Sequence, residues 1–426
     1  MGMVDSHEHL PSEGERISRP QDPFSIFLSH HINSDLISSG MSPEALERVM
    51  DPAAPLDGRW RILSPYWARV ENTSHAAVLK VAARDLYGVG DLGPGGWAGL
   101  RDGMKASATE GFYERVLDRA GIRSVILDVP PHDRGPDPGY GPRFKKVVRF
   151  DELVMVSDRR GLEALGDGMG MRIHSLPDLL DCLDRRFEEA SEWAVGAKIW
   201  LAFRRPMLFE KVSASEAEEA FNLIFKTRAF RRETIGGLRT TVPEGPSIEA
   251  LRPMQDYLIH RILGLAEARG LPVQIHTGHQ EGNENALSNS NPLQLIDLLR
   301  EYRDLKFCLL HCGYPFLGET VSLCKSFPNA YADLSWLYAF SQSASATALS
   351  WLLSAIPRNK IIGFGGDYRF IEGTYGHSIL ARECVSRVLS RFVDEGSMAL
   401  DEAVETARMI LSENALEVFG LRRGDG

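Results

Sequence analysis

The sequence predicts an α/β fold, a closed (β/α)8 (TIM) barrel with a helical insertion after its first strand. Three observations lead there. Short β-rich runs, each ending in a polar or glycine-containing turn, alternate with stretches of 3.6-residue apolar spacing. Eight such runs can be read, and strands alternating with helices pair in parallel through right-handed crossovers. Eight units spread over about 300 residues favour a closed barrel over an open doubly wound sheet. Finally, the stretch from about Gln21 to Ala120 carries helical signals and no convincing strand.

Taken in order, the first strand candidate is Met3 to His9, almost at residue 1. The insertion follows, with helical patterning over Met41 to Met50, Gly58 to Leu86 and Trp97 to Arg119. It would sit over the C-terminal mouth as a lid or pocket wall, or else form an oligomerisation surface. The remaining strand candidates are Arg123 to Val129, Lys145 to Glu152, Val195 to Phe203, Pro272 to Gly278, Lys306 to Gly313, Ala330 to Trp336 and Lys360 to Asp367. Helical spacing marks Pro177 to Trp193, Ser215 to Phe230, Ile248 to Arg269, Pro292 to Tyr302, Ala344 to Ile356 and His377 to Asp394. The expected division is therefore 1–20 for the first strand and its loop, 21–120 for the insertion, and 121–426 for the rest of the barrel with a C-terminal helix.

Composition narrows the function classes. With 426 residues, 43% hydrophobic and 25% charged, the chain is an ordinary globular mixture, which excludes a disordered, collagen-like or small disulfide-stapled protein. Its 48 Lys+Arg against 58 Asp+Glu give a net charge of −10, without the basic footprint of a general nucleic-acid binder. The densest basic spots, Arg228 to Arg232 and Arg422 to Arg423, read as solvated helix faces or ends. Partners are expected to be small molecules or protein. Five cysteines, an odd number without a C-x-x-C pair, suit a reducing compartment. No apolar run reaches the roughly 18 residues that span a bilayer, and the start MGMVDSHEHL lacks a basic region followed by an apolar one. The expectation is a cytoplasmic protein with no membrane partner.

The chemistry is carried by polar residues at strand ends, which in such a barrel share one mouth. His7 and His9 are two apart on strand 1, so their side chains face the same way. Strand 4 carries Lys198 in an otherwise apolar run, where a lysine is costly to bury unless paired. Strand 5 ends in His276 with His279 just beyond, strand 6 in His311, and strand 8 in Gly365-Gly366-Asp367. Taken singly these are weak signals: a lone histidine after an apolar strand is more often a satisfied structural residue, and only the His-x-His pair is evenly balanced. Four histidines, one lysine and one aspartate in order at five strand ends point to a metal site.

On Asp5-Ser-His7-Glu-His9, Lys198, His276, His311 and Asp367, the chain resembles the amidohydrolase superfamily, metal-dependent enzymes on a distorted (β/α)8 barrel. The resemblance covers the barrel but not the insertion. It is closest to the branch pairing His-Thr-Gly after strand 5 with Gly-Gly-Asp after strand 8, and it says little about substrate. It implies that His7, His9 and Asp367 hold one divalent ion (zinc, iron or manganese) and that His276 and His311 hold a second. A carboxylated Lys198 would bridge them, since an ammonium with a pKa of about 10.4 cannot ligate a cation. Without carboxylation one ion binds, His276 completing its site and His311 orienting substrate or water. Lys198 paired to a carboxylate inside the barrel is the structural alternative.

Asp367 would serve as ligand, general base toward water and proton shuttle to the leaving group. Gly365 and Gly366 either leave room at the metal or answer to barrel packing. Candidate substrate contacts are His279, Arg204, Tyr314 and Trp336, with Arg205 and Tyr368 close by; Asp333 is a candidate partner for a ligand histidine. Each has a bland counterpart, a surface salt bridge for the arginines and a backbone-bonded loop residue for His279. Glu8 should point away from its flanking histidines. His30, His31, His75, His132, His174, His260 and His377 read as structural.

The leading expectation is a hydrolase of small amides, lactones or related carbonyl compounds. A dimetal monooxygenase using iron or manganese, a decarboxylase or a sugar-acid isomerase could use the same ligands, and a non-catalytic partner subunit is a further alternative.

Overall fold

The computed structural model describes residues 1–129, 139–226, 229–235, 238–244 and 246–421, the two short segments between 229 and 244 in backbone course only. Arg228, Arg422, Arg423 and His132 lie outside the described residues.

Eight parallel strands form one sheet: β1 (Met3–Glu8), β2 (Ile122–Val129), β3 (Phe144–Arg149), β4 (Ala194–Ile199), β5 (Val273–Ile275), β6 (Phe307–Leu309), β7 (Ala330–Asp333) and β8 (Ile361–Ile362). The chain after β8 turns back onto β1: the amide of Ser6 donates to Phe364 O at 3.0 Å, that of Asp367 to His7 O at 2.8 Å and that of His9 to Tyr368 O at 3.2 Å. The ring is a (β/α)8 barrel. All eight segments expected to be strands form. Strands 5, 6 and 8 are much shorter than their apolar runs: the ladder ends at Ile275, Leu309 and Ile362, ahead of His276, His311 and Asp367.

The strands are buried nearly throughout, which is why they read as continuous apolar runs. Helices start where the sequence offers caps. Ser175 with Asp178 and Ser213 with Glu216 form capping boxes, and Ser247 accepts from the Ala250 amide to open Ile248–Arg269. At the N-terminal end of the barrel, Met409–Glu413 and Asn414–Val418 form a plug, Asn414 donating to the carbonyls of Ile361 and Arg358 at 2.7 Å.

Between β1 and β2 the chain is helical. Its helices include Pro23–Phe27, Ile32–Ser38, Pro43–Met50, Leu56–Val70, Ser74–Tyr87, Pro94–Ser107 and Phe112–Ala120. Fully buried Trp97 joins them, packing edge-on against Phe24 at 4.8 Å and Trp67 at 5.5 Å. Buried Glu372 ties this layer to the barrel, accepting from Arg16 at 2.7 Å and from the Tyr87 hydroxyl at 2.6 Å.

Two expectations fail. The helix expected over Ser215 to Phe230 ends as Ala214–Leu223 with a single 3-10 turn Ile224–Lys226. An antiparallel hairpin follows, Ala229–Ile235 against Leu238–Glu244, so Arg231 and Arg232 belong to a strand and not to a helix face. The Gly236–Gly237 pair between β-compatible runs was the available hairpin signal. All five cysteines are buried and unpaired, and no helix among the described residues is long and apolar enough to cross a membrane.

Candidate metal centre at the barrel mouth

β1 aims His7 and His9 into the mouth, and the return segment brings Asp367 to them. Asp367 Oδ1 lies 3.2 Å from His9 Nε2 and 3.5 Å from His7 Nε2, and its Oδ2 lies 3.9 Å from His311 Nδ1. Lys198, buried on β4, reaches within 3.3 Å of His7 Nε2. His311 Nε2 and His276 Nδ1 are 3.0 Å apart. The six strand-end residues thus converge on one mouth.

Several are held in unusual backbone. Among the described non-glycine residues, six have positive φ, including His31, His311, Trp336 and Asp367 at +57° to +62°. Such conformations cost of order 1–3 kcal/mol each and persist where the surroundings over-determine them. Here the amide of Asp367 is fixed by His7 O and that of Trp336 by Gly365 O at 2.9 Å.

Burial first, then the nearby Lys198 charge, pushes the His7 pKa well below 6.5, while Asp367 opposes it. Burial and the neighbouring His311 do the same to His276, and burial brings His311 down to about 4. These imidazoles are neutral at pH 7, the form that binds metal. Burial alone would raise the Asp367 carboxyl, but the hydrogen bond from His9, with the His7 and His311 imidazoles beside it, holds it well below the usual value. Burial also lowers Lys198, against the pull of Asp128 and Asp367.

The donors fit a cation. His311 Nδ1 is 3.1 Å from Ser335 O and His276 Nε2 is 3.0 Å from His279 O. Carbonyls only accept, so both outer nitrogens carry the proton, leaving lone pairs on the two inner nitrogens that face each other. Two such lone pairs repel unless a cation lies beside them. Donors bound to one ion at about 2.0–2.2 Å stand roughly 3 Å apart when adjacent, the spacing found here and around Asp367.

The mouth opens into a cavity of about 250 Å³. Trp200 and Phe203, stacked at 4.3 Å, form one wall, and His31 stacked on Trp336 at 4.6 Å forms another. Trp336 is therefore where the sequence placed it. Three other expected substrate contacts are not on this wall: Arg204 is exposed, Tyr314 packs behind Phe340 at 4.9 Å, and the His279 ring packs on Phe340 at 4.6 Å. Arg205 is buried in an ion pair with Asp256 at 2.6 Å. Tyr368 lies beneath His31, and Asp333 accepts from Ser6 and Ser335 instead of touching a histidine. Gly365 and Gly366 answer to packing, since a Cβ on Gly366 would overlap Glu8 Oε1. Glu8 itself points away from the mouth, accepting from Tyr368 N and the Thr374 hydroxyl.

Sequence reasoning missed several wall residues. Asp128 and Arg149 end β2 and β3, and an even application of the strand-end criterion would have flagged both. His30 and His31, assigned a structural role, line the cavity from the insertion: His30 Nε2 is 3.1 Å from Glu281, and His31 Nε2 donates to Asp367 O at 2.7 Å. Glu281 and Arg369, 3.5 Å apart, complete that side.

Fold and site together define a (β/α)8 barrel with side chains of metal-ligating type gathered at its strand ends. Residues 228–421 match the amidohydrolase family model. The uronate isomerase of Thermotoga maritima shares the fold at TM-score 0.79 and 15% identity, over 98% of this chain and 94% of that one. Glucuronate isomerase of Caulobacter crescentus does so at TM-score 0.74 and 18% identity, over 100% and 93%. The curated protein fluG of Emericella nidulans is 28% identical over 176 residues, which are 40% of this chain and 20% of fluG. The chain spans about a fifth of that relative's length. The amidohydrolase family match spans less than half of the chain, and the two isomerase structures show a likeness of fold alone.

Proposed function

We propose that the protein is a metal-dependent hydrolase acting on a small amide, lactone or related carbonyl compound. The observation that carries this reading is the convergence of His7, His9, Asp367, His276 and His311 on one buried mouth, with the inner nitrogens of the last two facing each other at 3.0 Å. A divalent cation (zinc, iron or manganese) held there would polarise a carbonyl and lower the pKa of a water to about 7. If Lys198 is carboxylated, the two donor sets share a bridge and hold two ions; as an ammonium it leaves one.

The chain's own residues supply the rest. Asp367, ionised at pH 7, accepts a proton from the attacking water and returns it to the leaving group. Its carboxylate is fixed from both sides, by the imidazoles and by its own backbone bonds to His7 and His31. Trp336 with His31 and Trp200 with Phe203 restrict the cavity to a small substrate and exclude bulk water.

A sugar-acid isomerase reading is favoured by one feature, the placement of Arg149 and Arg369 on the wall, where they can attract a substrate carboxylate. It retains Asp367 as proton carrier. Incubating the metal-loaded protein with small amides, lactones and uronic acids, and identifying products by mass, separates the two. Hydrolysis adds the mass of water and isomerisation adds none. Asp367→Asn should lower kcat by about 10²–10⁴ while retaining the fold. Full activity in Asp367→Asn refutes the assignment.

A further inference from the structure

The carboxylate that ends β2 has no place in the scheme above. Asp128 is completely buried at the side chain, next to the histidine pair of β1. The Arg149 Nε lies 2.8 Å from its Oδ1, out of line for a hydrogen bond, so among the described residues neither carboxylate oxygen accepts one. Its other oxygen, Oδ2, is turned the opposite way, 4.0 Å from His9 Nε2. A buried carboxylate without hydrogen-bond donors is costly and calls for a compensating cation. Arg149 offers one on the Oδ1 side, where it is also held over the Trp200 ring at 5.7 Å. Lys198 is the other cation nearby, its charge favoured by Asp128 against burial, yet among the described residues no hydrogen bond reaches Oδ2.

Donor atoms of His7, His9 and Asp128 lie within 4.8 Å of one another. Two donors bound at about 2.0–2.2 Å to one ion can be separated by up to roughly 4.2 Å, so the His9 to Asp128 spacing is within the span of a shared cation. His9 then stands between two carboxylates, Asp367 at 3.2 Å and Asp128 at 4.0 Å.

We propose that Asp128 is a further ligand of the ion held by His7, His9 and Asp367, with Arg149 orienting its carboxylate. This rests on the metal reading above and adds a donor from a strand that the motif pattern does not use. Two imidazoles and two carboxylates make a harder, more oxygen-rich set than histidines with one aspartate. Such a set favours ions that accept six-coordinate oxygen ligation, manganese or ferrous iron, relative to zinc.

The test uses full-length protein freed of metal by chelator dialysis and titrated with Mn²⁺ and with Zn²⁺, following bound ion by calorimetry and Mn²⁺ also by its EPR signal. Asp128→Asn should weaken Mn²⁺ binding at least about tenfold, with a smaller loss for Zn²⁺. Removing Asp128 alone leaves the Arg149 charge without its partner and endangers folding. The double variant Asp128→Asn/Arg149→Met removes both charges, so it should fold and still show the weakened Mn²⁺ binding. If that folded double variant binds Mn²⁺ as tightly as wild type, Asp128 is only the counter-ion of Arg149 and the proposal is overturned. If wild type binds neither ion, the metal reading fails and carries this proposal with it.

Discussion

Histidine 377 offers a quantitative test of how the barrel mouth is supported. It lies fully buried on the helix Ile371–Asp394, its Nδ1 donating to Gly366 O at 3.0 Å directly before Asp367. Its ring packs against Phe364 at 5.1 Å and Tyr338 at 5.8 Å, and its Nε2 has no hydrogen-bond partner among the described residues. Burial lowers its pKa from 6.5 to about 3. The folded state therefore keeps this imidazole neutral where the unfolded chain protonates it. Below pH 6.5 unfolding takes up a proton, and stability present above that pH is lost as the pH falls toward 3. One such group contributes about 1.4 kcal/mol per pH unit, or about 3 kcal/mol between pH 6.5 and 4. His377→Gln retains an N–H donor for Gly366 and removes the titration. Urea unfolding of metal-free protein at several values from pH 7.5 to 4 should give a variant curve flatter by about 1.4 kcal/mol per pH unit. Parallel curves would refute the account of His377 as a neutral buried prop.

The remaining predictions concern single contacts. Arg205→Ala removes the nearest counter-charge of the Asp256 carboxylate, which is 1% exposed at the side chain and keeps only the Glu210 amide and Arg252 at 3.7 Å, and should cost about 3 kcal/mol by urea unfolding. Arg204→Ala next to it, on an exposed side chain, should change stability by less than about 0.5 kcal/mol. Gly366→Ala drives a methyl into Glu8 Oε1 and Asp5 Oδ2 where the barrel closes, and should cost more than about 2 kcal/mol and reduce metal uptake together; unchanged metal content would separate the closure from the site. Trp336→Ala, which removes the ring stacked on His31, should raise KM more than it lowers kcat, because it holds the substrate wall without touching Asp367.

The barrel was legible because its parallel strands are buried on both faces and read as apolar runs bounded by polar turns, a signal that survives without any long-range information. Ile248–Arg269 has the bounds its spacing predicted. The hairpin at 229–244 was hidden because its first strand continues a helical pattern and its charges resemble a helix face. Strand-end residues announced His7, His9, Lys198, His276, His311 and Asp367, since their position along each run is local information. His30 and His31 could not be found that way. They enter the cavity from a helical insertion, through a backbone turn at His31 with φ of 57°, and only the packing of that layer on the barrel brings them to Asp367. The choice between Arg204 and Arg205 turned on a single residue of phase after β4, which decides which guanidinium is buried with Asp256.

The central claim, that the mouth holds divalent cations on His7, His9 and Asp367, is tested most directly by elemental analysis of the purified protein beside the variant His9→Ala. The account predicts one or two equivalents of zinc, iron or manganese in wild type, less in the folded variant, and loss of turnover on chelation with recovery when metal is returned. A metal-free preparation that retains full activity, or a His9→Ala protein with wild-type metal content, would contradict it.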